Sequence, residues 1–203
     1  MKSSPPTSPS LLIELRSIVE PLEISPLFPR TQPLEIELGC GDASLLLNYA
    51  KAHPERNFIG VERLGGRINK LDRKGRRAGL TNLRGVRIES GYFLEYLLPP
   101  RSASALHIYF PDPWPKRKHL KNRFINDRFP QIAQRVLTPN GIVYLRTDHE
   151  DYFEQMTTVF AAAAEIFRPM ETPEELSAIL TDFEADFQKQ GIQTLRAAYE
   201  LIK

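Results

Sequence analysis

Four carboxylates and two glycines recur where short apolar runs end. Glu37 stands with Gly39 and Gly41 in "EIELGCGDAS", Glu62 closes "NFIGVE", Glu89 follows "LRGVRI", and Asp112 sits in "YFPDPWPKRKHLKNR". Ionised carboxylates accept from amine and hydroxyl hydrogens, and several together attract a cation. Pro111 and Pro113 flank Asp112, each fixing φ and removing a backbone donor, so the acid is held on a stiff loop. Directly behind come Lys116, Arg117, Lys118, His119, Lys121 and Arg123, up to six positive charges in eight positions. Trp114, the only tryptophan, lies between acid and bases, where it can pack on the loop or stack on a base.

A basic run is most often a solvated face. Beside an acidic strand edge it gains another use, since Lys and Arg that neutralise phosphates release counterions and bind nucleic acid without reading its sequence. The charge distribution points the same way. Residues 150–203 hold 11 Asp/Glu against 4 Lys/Arg, while residues 1–149 hold 14 against 23. A net charge of +2 therefore conceals a basic first part of +9 and an acidic last part of −7.

The elements that must position these residues follow from pattern. Short runs at 34–38, 57–62, 83–88, 105–110 and 141–147, mostly rich in β-branched or aromatic residues and bounded by Gly, Pro or charge, predict strands. Between them, 43–52, 65–78, 91–98 and 124–137 suit helices. In the second, Ile68, Leu71 and Ala78 keep helical spacing while Arg67, Lys70, Arg73, Lys74 and Arg77 crowd the other sides. Such alternation implies right-handed βαβ units and an open parallel sheet. A helix from Asp151 to about Phe167 follows, then one capped by Thr172 with Pro173 at its first position. The final "IQTLRAAYELI" is expected to add an antiparallel edge strand.

One domain is expected over 11–203, behind a flexible tail at 1–10, "MKSSPPTSPS", which lacks the hydrophobic core of a secretory signal. No run approaches the roughly 18 apolar residues of a membrane helix. A single cysteine, Cys40, excludes an internal disulfide framework and fits a reducing cytoplasm. Monomer and homodimer are equally compatible with the sequence, since no seam or exposed apolar face stands out.

The glycine turn narrows the chemistry. Gly39 and Gly41 follow a predicted strand and precede a predicted helix, with Asp42 placed as its N-cap. A dinucleotide fingerprint needs a third glycine where Ser44 stands, and Glu37 and Asp42 would repel a pyrophosphate. Those same acids suit an ammonium and a sulfonium, as S-adenosylmethionine carries. Glu62, 21 residues after Gly41, stands where nucleotide-binding sheets place an acid for ribose hydroxyls. Glu89 can accept from an adenine amine or cap the helix that follows. Asp148, in "RTDHE", ends the fifth strand at the same edge as Asp112. "TDFEADF" offers Thr181, Asp182, Phe183 and Glu184, and by pattern alone is a capped helix start.

Taken together, "IELGCGDA", "NFIGVE", "YFPDPWPKRKHLKNR", "LRTDHEDY" and "TDFEADF", spread over residues 34 to 187, resemble the bacterial tRNA (guanine-N7-)-methyltransferases that modify guanine 46 of the variable loop. The resemblance implies a class I S-adenosylmethionine-dependent methyltransferase (Rossmann-like) fold, an α/β architecture with a mostly parallel seven-stranded sheet and helices on both faces. It implies S-adenosylmethionine held by Glu37, Gly39, Gly41, Glu62, Glu89 and Asp112, with Asp112 also catalytic and no metal. Lys116, Asp148 and the segment Thr181, Asp182, Phe183 and Glu184 match positions that contact tRNA. The chain departs from the family pattern at Asp42–Ala43, where Gly or Lys-Gly is frequent, and at Glu89, where Asp is usual. Without the resemblance, two readings stay open: a methyltransferase acting on a small molecule or protein, and an RNA-binding module without enzyme activity.

Overall fold

The computed structural model describes residues 9–202. Seven strands form one sheet: β1 (Leu34–Leu38), β2 (Asn57–Val61), β3 (Leu83–Val86), β4 (Ala103–Tyr109), β5 (Leu137–Thr147), β6 (Phe167–Met170) and β7 (Leu195–Leu201), in the order β3-β2-β1-β4-β5-β7-β6. Neighbours among β1 to β5 are parallel, and β7 runs antiparallel to both β5 and β6. The helices are α1 (Ser44–Ala52), α2 (Gly65–Arg77), α3 (Ser90–Tyr92), α4 (Phe129–Val136), α5 (Glu150–Ala162), α6 (Glu174–Ala178) and α7 (Asp182–Lys189).

Every residue of β1 and β2 is buried, as parallel strands covered on both faces must be. Alternation sorts them. Ile36, Leu38, Ile59, Val61, Leu106 and Ile108 share one apolar layer, and Phe58 with Leu46, Tyr49 and Leu71 belongs to the other. Glu35 and Glu37 point to the second face, so a strand that alternates apolar and acidic residues carries two acids into the interior. Gly60 lets α2 close on that face, since a Cβ there would stand 2.8 Å from both Cys40 Sγ and Leu71 Cδ1.

Several expectations change. The C-terminal strand is antiparallel, yet it is no edge strand: β7 lies between β5 and β6. The edge is β6, in residues whose start was expected to end a helix; α5 stops at Ala162. "FRPM" is short and contains Pro169, which only an edge strand accommodates readily. The stretch 91–98 begins as α3 and continues as a π-helical turn, Phe93–Leu97, and the helix expected over 124–137 is confined to Phe129–Val136. Pro173, not Thr172, is the N-cap of α6.

Of the expected tail, residues 1–8 lie outside the described residues. Ser10 Oγ and the Leu11 N–H already bond Asp72 Oδ1 on α2, at 3.1 and 2.7 Å. The chain then runs beside β3, where Leu12 bridges Gly85.

Candidate active site

The carboxyl ends of β1, β2 and β4 surround a cleft of about 340 Å³. Its lining includes Gly39, Glu62, Leu64, Glu89, Asp112 and Trp114. A cleft of that size is within the range of small-molecule sites and lies where open α/β sheets bind their ligands.

The glycine turn reaches the cleft at Gly39. Gly39, Gly41 and Ala43 all have left-handed φ, at 76°, 55° and 59°. Asp42 does not cap α1; Ala43 occupies the cap position without a side-chain bond. Asp42 instead meets Lys70 and Lys74 of α2 at 3.6 and 3.5 Å, because the left-handed turn aims its side chain away from the helix start.

Glu62 braces the turn from the next strand. Its Oε2 accepts from the Gly41 N–H at 3.1 Å and its Oε1 from the Leu64 N–H at 2.8 Å. Each carboxylate oxygen has a second lone pair, so acceptor capacity remains for hydroxyl donors in the cleft. Glu89 is committed more fully: its two oxygens accept from Gly91 and Tyr92 N–H at 2.8 and 2.7 Å, capping α3. Of the two roles expected for Glu89, the structure displays the cap.

Glu37 and Gly41 do not line the cleft. The Glu37 side chain leaves the opposite face of β1 and is buried. Burial pushes its carboxyl up to about 8, with the Arg146 charge pulling the other way. Among the described residues its Oε2 has no hydrogen-bond partner. A carboxyl so placed keeps its proton near neutral pH and becomes an acceptor for an ammonium group only on ionising. In the cleft itself, the doubly braced Glu62 and the apolar Leu64 supply acceptor lone pairs and packing surface.

Asp112 is exposed on the cleft wall and makes no hydrogen bond or ion pair among the described residues. Its loop is held from behind by Arg123. That side chain is 2% exposed, and its Nε donates to the Pro113 carbonyl at 2.8 Å and its Nη1 to Gln155 Oε1 at 2.8 Å. Nη2 bonds Asp151, and the guanidinium lies 4.8 Å from the Tyr152 ring centroid. Arg123, counted with the basic run, is thus withdrawn from solvent and serves as a latch. Lys116, Arg117, Lys118 and Lys121 stay exposed. Both ends of the run touch the cleft, since Trp114 and Asn122 line it.

The acidic C-terminal segment docks on the same edge. Asp148, just after β5, is exposed, as is Phe183. Thr181 caps α7 in a reciprocal box: its Oγ1 accepts from the Glu184 N–H at 3.1 Å, and Glu184 Oε2 accepts from the Thr181 N–H at 2.9 Å. Glu184 is wholly buried and binds Arg146 and Arg196, each at 2.7 Å. It offers no surface to a nucleotide here, so its direct contact with substrate does not fit this arrangement; it anchors the helix that carries Phe183. The side chain of Asp182 lies outside the described residues.

Sequence reasoning counted Arg123 with the phosphate-binding run, and missed Arg146 and the buried pair behind the turn, in which His107 Nε2 and Glu35 Oε2 are 2.7 Å apart. Arg56 donates to the other Glu35 oxygen at 2.8 Å. Ionisable residues inside apolar strand runs, Glu35 in "LEIEL" and His107 in "ALHIYF", were the available signal for that pair.

A mostly parallel sheet in this strand order, with a glycine turn after β1 and acids at the ends of β1 and β2, defines a class I S-adenosylmethionine-dependent methyltransferase fold. Solved structures agree: the 16S rRNA methyltransferase KamB superposes with TM-score 0.59 at 17% identity, over 85% of this chain and 89% of that one. The 16S rRNA (adenine(1408)-N(1))-methyltransferase from Catenulisporales acidiphilia, determined with its cosubstrate SAM, gives 0.56 at 14% identity, over 85% and 87%.

Residues 31–197 match the family model described as "Putative methyltransferase". The tRNA (guanine-N(7)-)-methyltransferase of Syntrophotalea carbinolica is 37% identical over 74% of this chain and 64% of its own length. That of Sodalis glossinidius is 34% identical over 85% and 74%. The chain belongs to the tRNA (guanine-N(7)-)-methyltransferase family.

Proposed function

We propose that this chain transfers the methyl group of S-adenosylmethionine to N7 of a guanine in tRNA, the variable-loop guanine in the pattern it resembles. The observation that carries the reading is one cleft that holds both Glu62 and the exposed Asp112, with a basic run that leaves it at Trp114 and returns at Asn122.

The bound cofactor supplies a methyl group made electrophilic by its sulfonium. Guanine N7 has an in-plane lone pair and no proton, so no strong base is required, and rate comes from placing N7 at near-attack distance. The residues divide the work. Glu37, once it gives up its proton, offers an ionised oxygen to an ammonium, and Glu62 offers its remaining lone pairs to ribose hydroxyls. Gly39 and Gly41 allow close backbone approach. Asp112, stiffened by Pro111 and Pro113 and latched by Arg123, accepts from the base's N–H donors and offsets the positive charge that develops on it.

Lys116 and its exposed neighbours hold phosphates. Asp148 and Phe183 face the nucleotide, while Thr181 and Glu184 fix the helix that presents Phe183. This reading places the protein with tRNA in the cytoplasm. Methyl transfer to unmodified tRNA, with the modified atom read by N7-methylguanine-specific cleavage, tests it.

A further inference from the structure

Phe110 and Trp114 stand two residues before and two after Asp112, and both adopt left-handed φ, 50° and 43°. Bulky residues rarely do so, and such outliers concentrate at functional sites. The two rings meet different fates. Phe110 packs against Phe183 and Phe187, with centroids 6.0 and 5.5 Å away. Trp114 has one ring contact among the described residues, edge-on to His119 at 5.7 Å. It is 37% exposed and lines the cleft beside Asp112. A tryptophan serving as a hydrophobic plug would be buried. Here Pro113 and Pro115 stiffen the backbone on either side, and Arg123 grips the Pro113 carbonyl, so the loop presents indole surface to the cleft.

We propose that Trp114 is the stacking platform for the target guanine, and that it grips the base more tightly as methyl transfer proceeds. The inference rests on the guanine-N7 reading. The N7 lone pair forms the new N–C bond while the C–S bond breaks and its electron pair stays on sulfur. No proton leaves, so the sulfonium's positive charge passes to the purine. A neutral ring over indole gains an ordinary stacking contact, whereas a cationic ring gains a cation–π attraction as well, and tryptophan is the best face for it. An interaction stronger in the transition state than in the ground state raises kcat rather than lowering KM.

The test uses the full chain. Wild-type protein is first shown to form 7-methylguanine in tRNA. Trp114→Leu, at an exposed position, is then expected to lower kcat by roughly 2- to 30-fold. KM for tRNA should also rise, by the ordinary stacking lost, while calorimetric affinity for S-adenosylmethionine should not change; Trp114→Phe recovers part of both losses. A second readout needs no turnover: filter binding of cofactor-free protein to methylated and unmethylated tRNA. The wild type should prefer the methylated form, and Trp114→Leu should lose that preference by the same factor. Unchanged kcat in Trp114→Leu, or an unchanged preference, overturns the platform while leaving the guanine-N7 reading intact. Absence of 7-methylguanine from the wild-type reaction overturns that reading and the charge argument with it.

Discussion

Arg146 Nη1 donates to Glu184 Oε2 at 2.7 Å, joining residues 38 apart in sequence with side chains 1% and 0% exposed. The same guanidinium donates to the carbonyls of Ile179 and Leu176, at 2.9 and 2.6 Å, and lies 4.5 Å from the Tyr109 ring centroid. The end of β5 thereby clasps the whole stretch from α6 to α7. The clasp also brings a positive charge near Glu37, so the helix bearing Phe183 and the acid expected to face the cofactor share one neighbour.

Breaking one side of a buried ion pair leaves an uncompensated charge. Glu184→Ala is therefore expected to destabilise the fold by about 3–5 kcal/mol. Arg196→Ala should cost less, because the Arg196 side chain is 29% exposed and its removal leaves Arg146 to neutralise Glu184. Urea unfolding reads both. A loss below about 1 kcal/mol for Glu184→Ala would show that the clasp does not hold the segment.

Glu37 makes stability and binding depend on pH in opposite senses. Its carboxyl is raised by burial from 4.5 to about 8. Between those values the folded, cofactor-free chain keeps a proton that the unfolded chain has lost. The stability this group confers is full below pH 4.5 and is lost as pH rises through 8, by up to about 1.4 kcal/mol per pH unit. A cation beside Glu37 favours the ionised form, so binding S-adenosylmethionine near pH 7 should release a proton. Calorimetry in buffers of different ionisation heat measures that release, which Glu37→Gln should abolish. Release undiminished in Glu37→Gln assigns the proton elsewhere.

The basic run should separate into two kinds of residue. Replacing exposed Lys116, Arg117 and Lys118 with Ala should weaken tRNA binding and flatten its salt slope by roughly two to three. Arg123→Lys should leave the slope alone and lower kcat, since an ammonium cannot reproduce the fork that spans Pro113, Gln155 and Asp151. If Arg123→Lys flattens the slope like the triple variant, Arg123 is a phosphate contact and the latch is wrong.

Much of this was legible in sequence because the βαβ portion is locally encoded. The predicted run 34–38 coincides with β1, and 57–62 and 105–110 differ from β2 and β4 only near their ends. Glu62, Glu89 and Asp112 could be placed at the sheet's carboxyl edge because each closes a strand pattern. What failed depended on partners distant in sequence. The four residues of β6 become a strand only when β7 supplies the ladder, and Asp42 prefers two lysines of α2 to the helix start that follows it. Arg123 read as one of the basic run and Glu184 as a tRNA contact, since burial of a charge is decided by a partner 28 or 38 residues away. Glu37 was named for the right strand, but the burial that leaves its oxygen unpaired belongs to the covered sheet face.

The most direct measurement is transfer of a labelled methyl group from S-adenosylmethionine to unmodified tRNA, followed by cleavage at N7-methylguanine, run with wild type and Asp112→Ala side by side. The account predicts label in the tRNA and one cleavage in the variable loop for the wild type. It predicts neither for an Asp112→Ala protein whose circular dichroism is unchanged. Labelled tRNA that resists this cleavage, or near-normal turnover by folded Asp112→Ala, would contradict it.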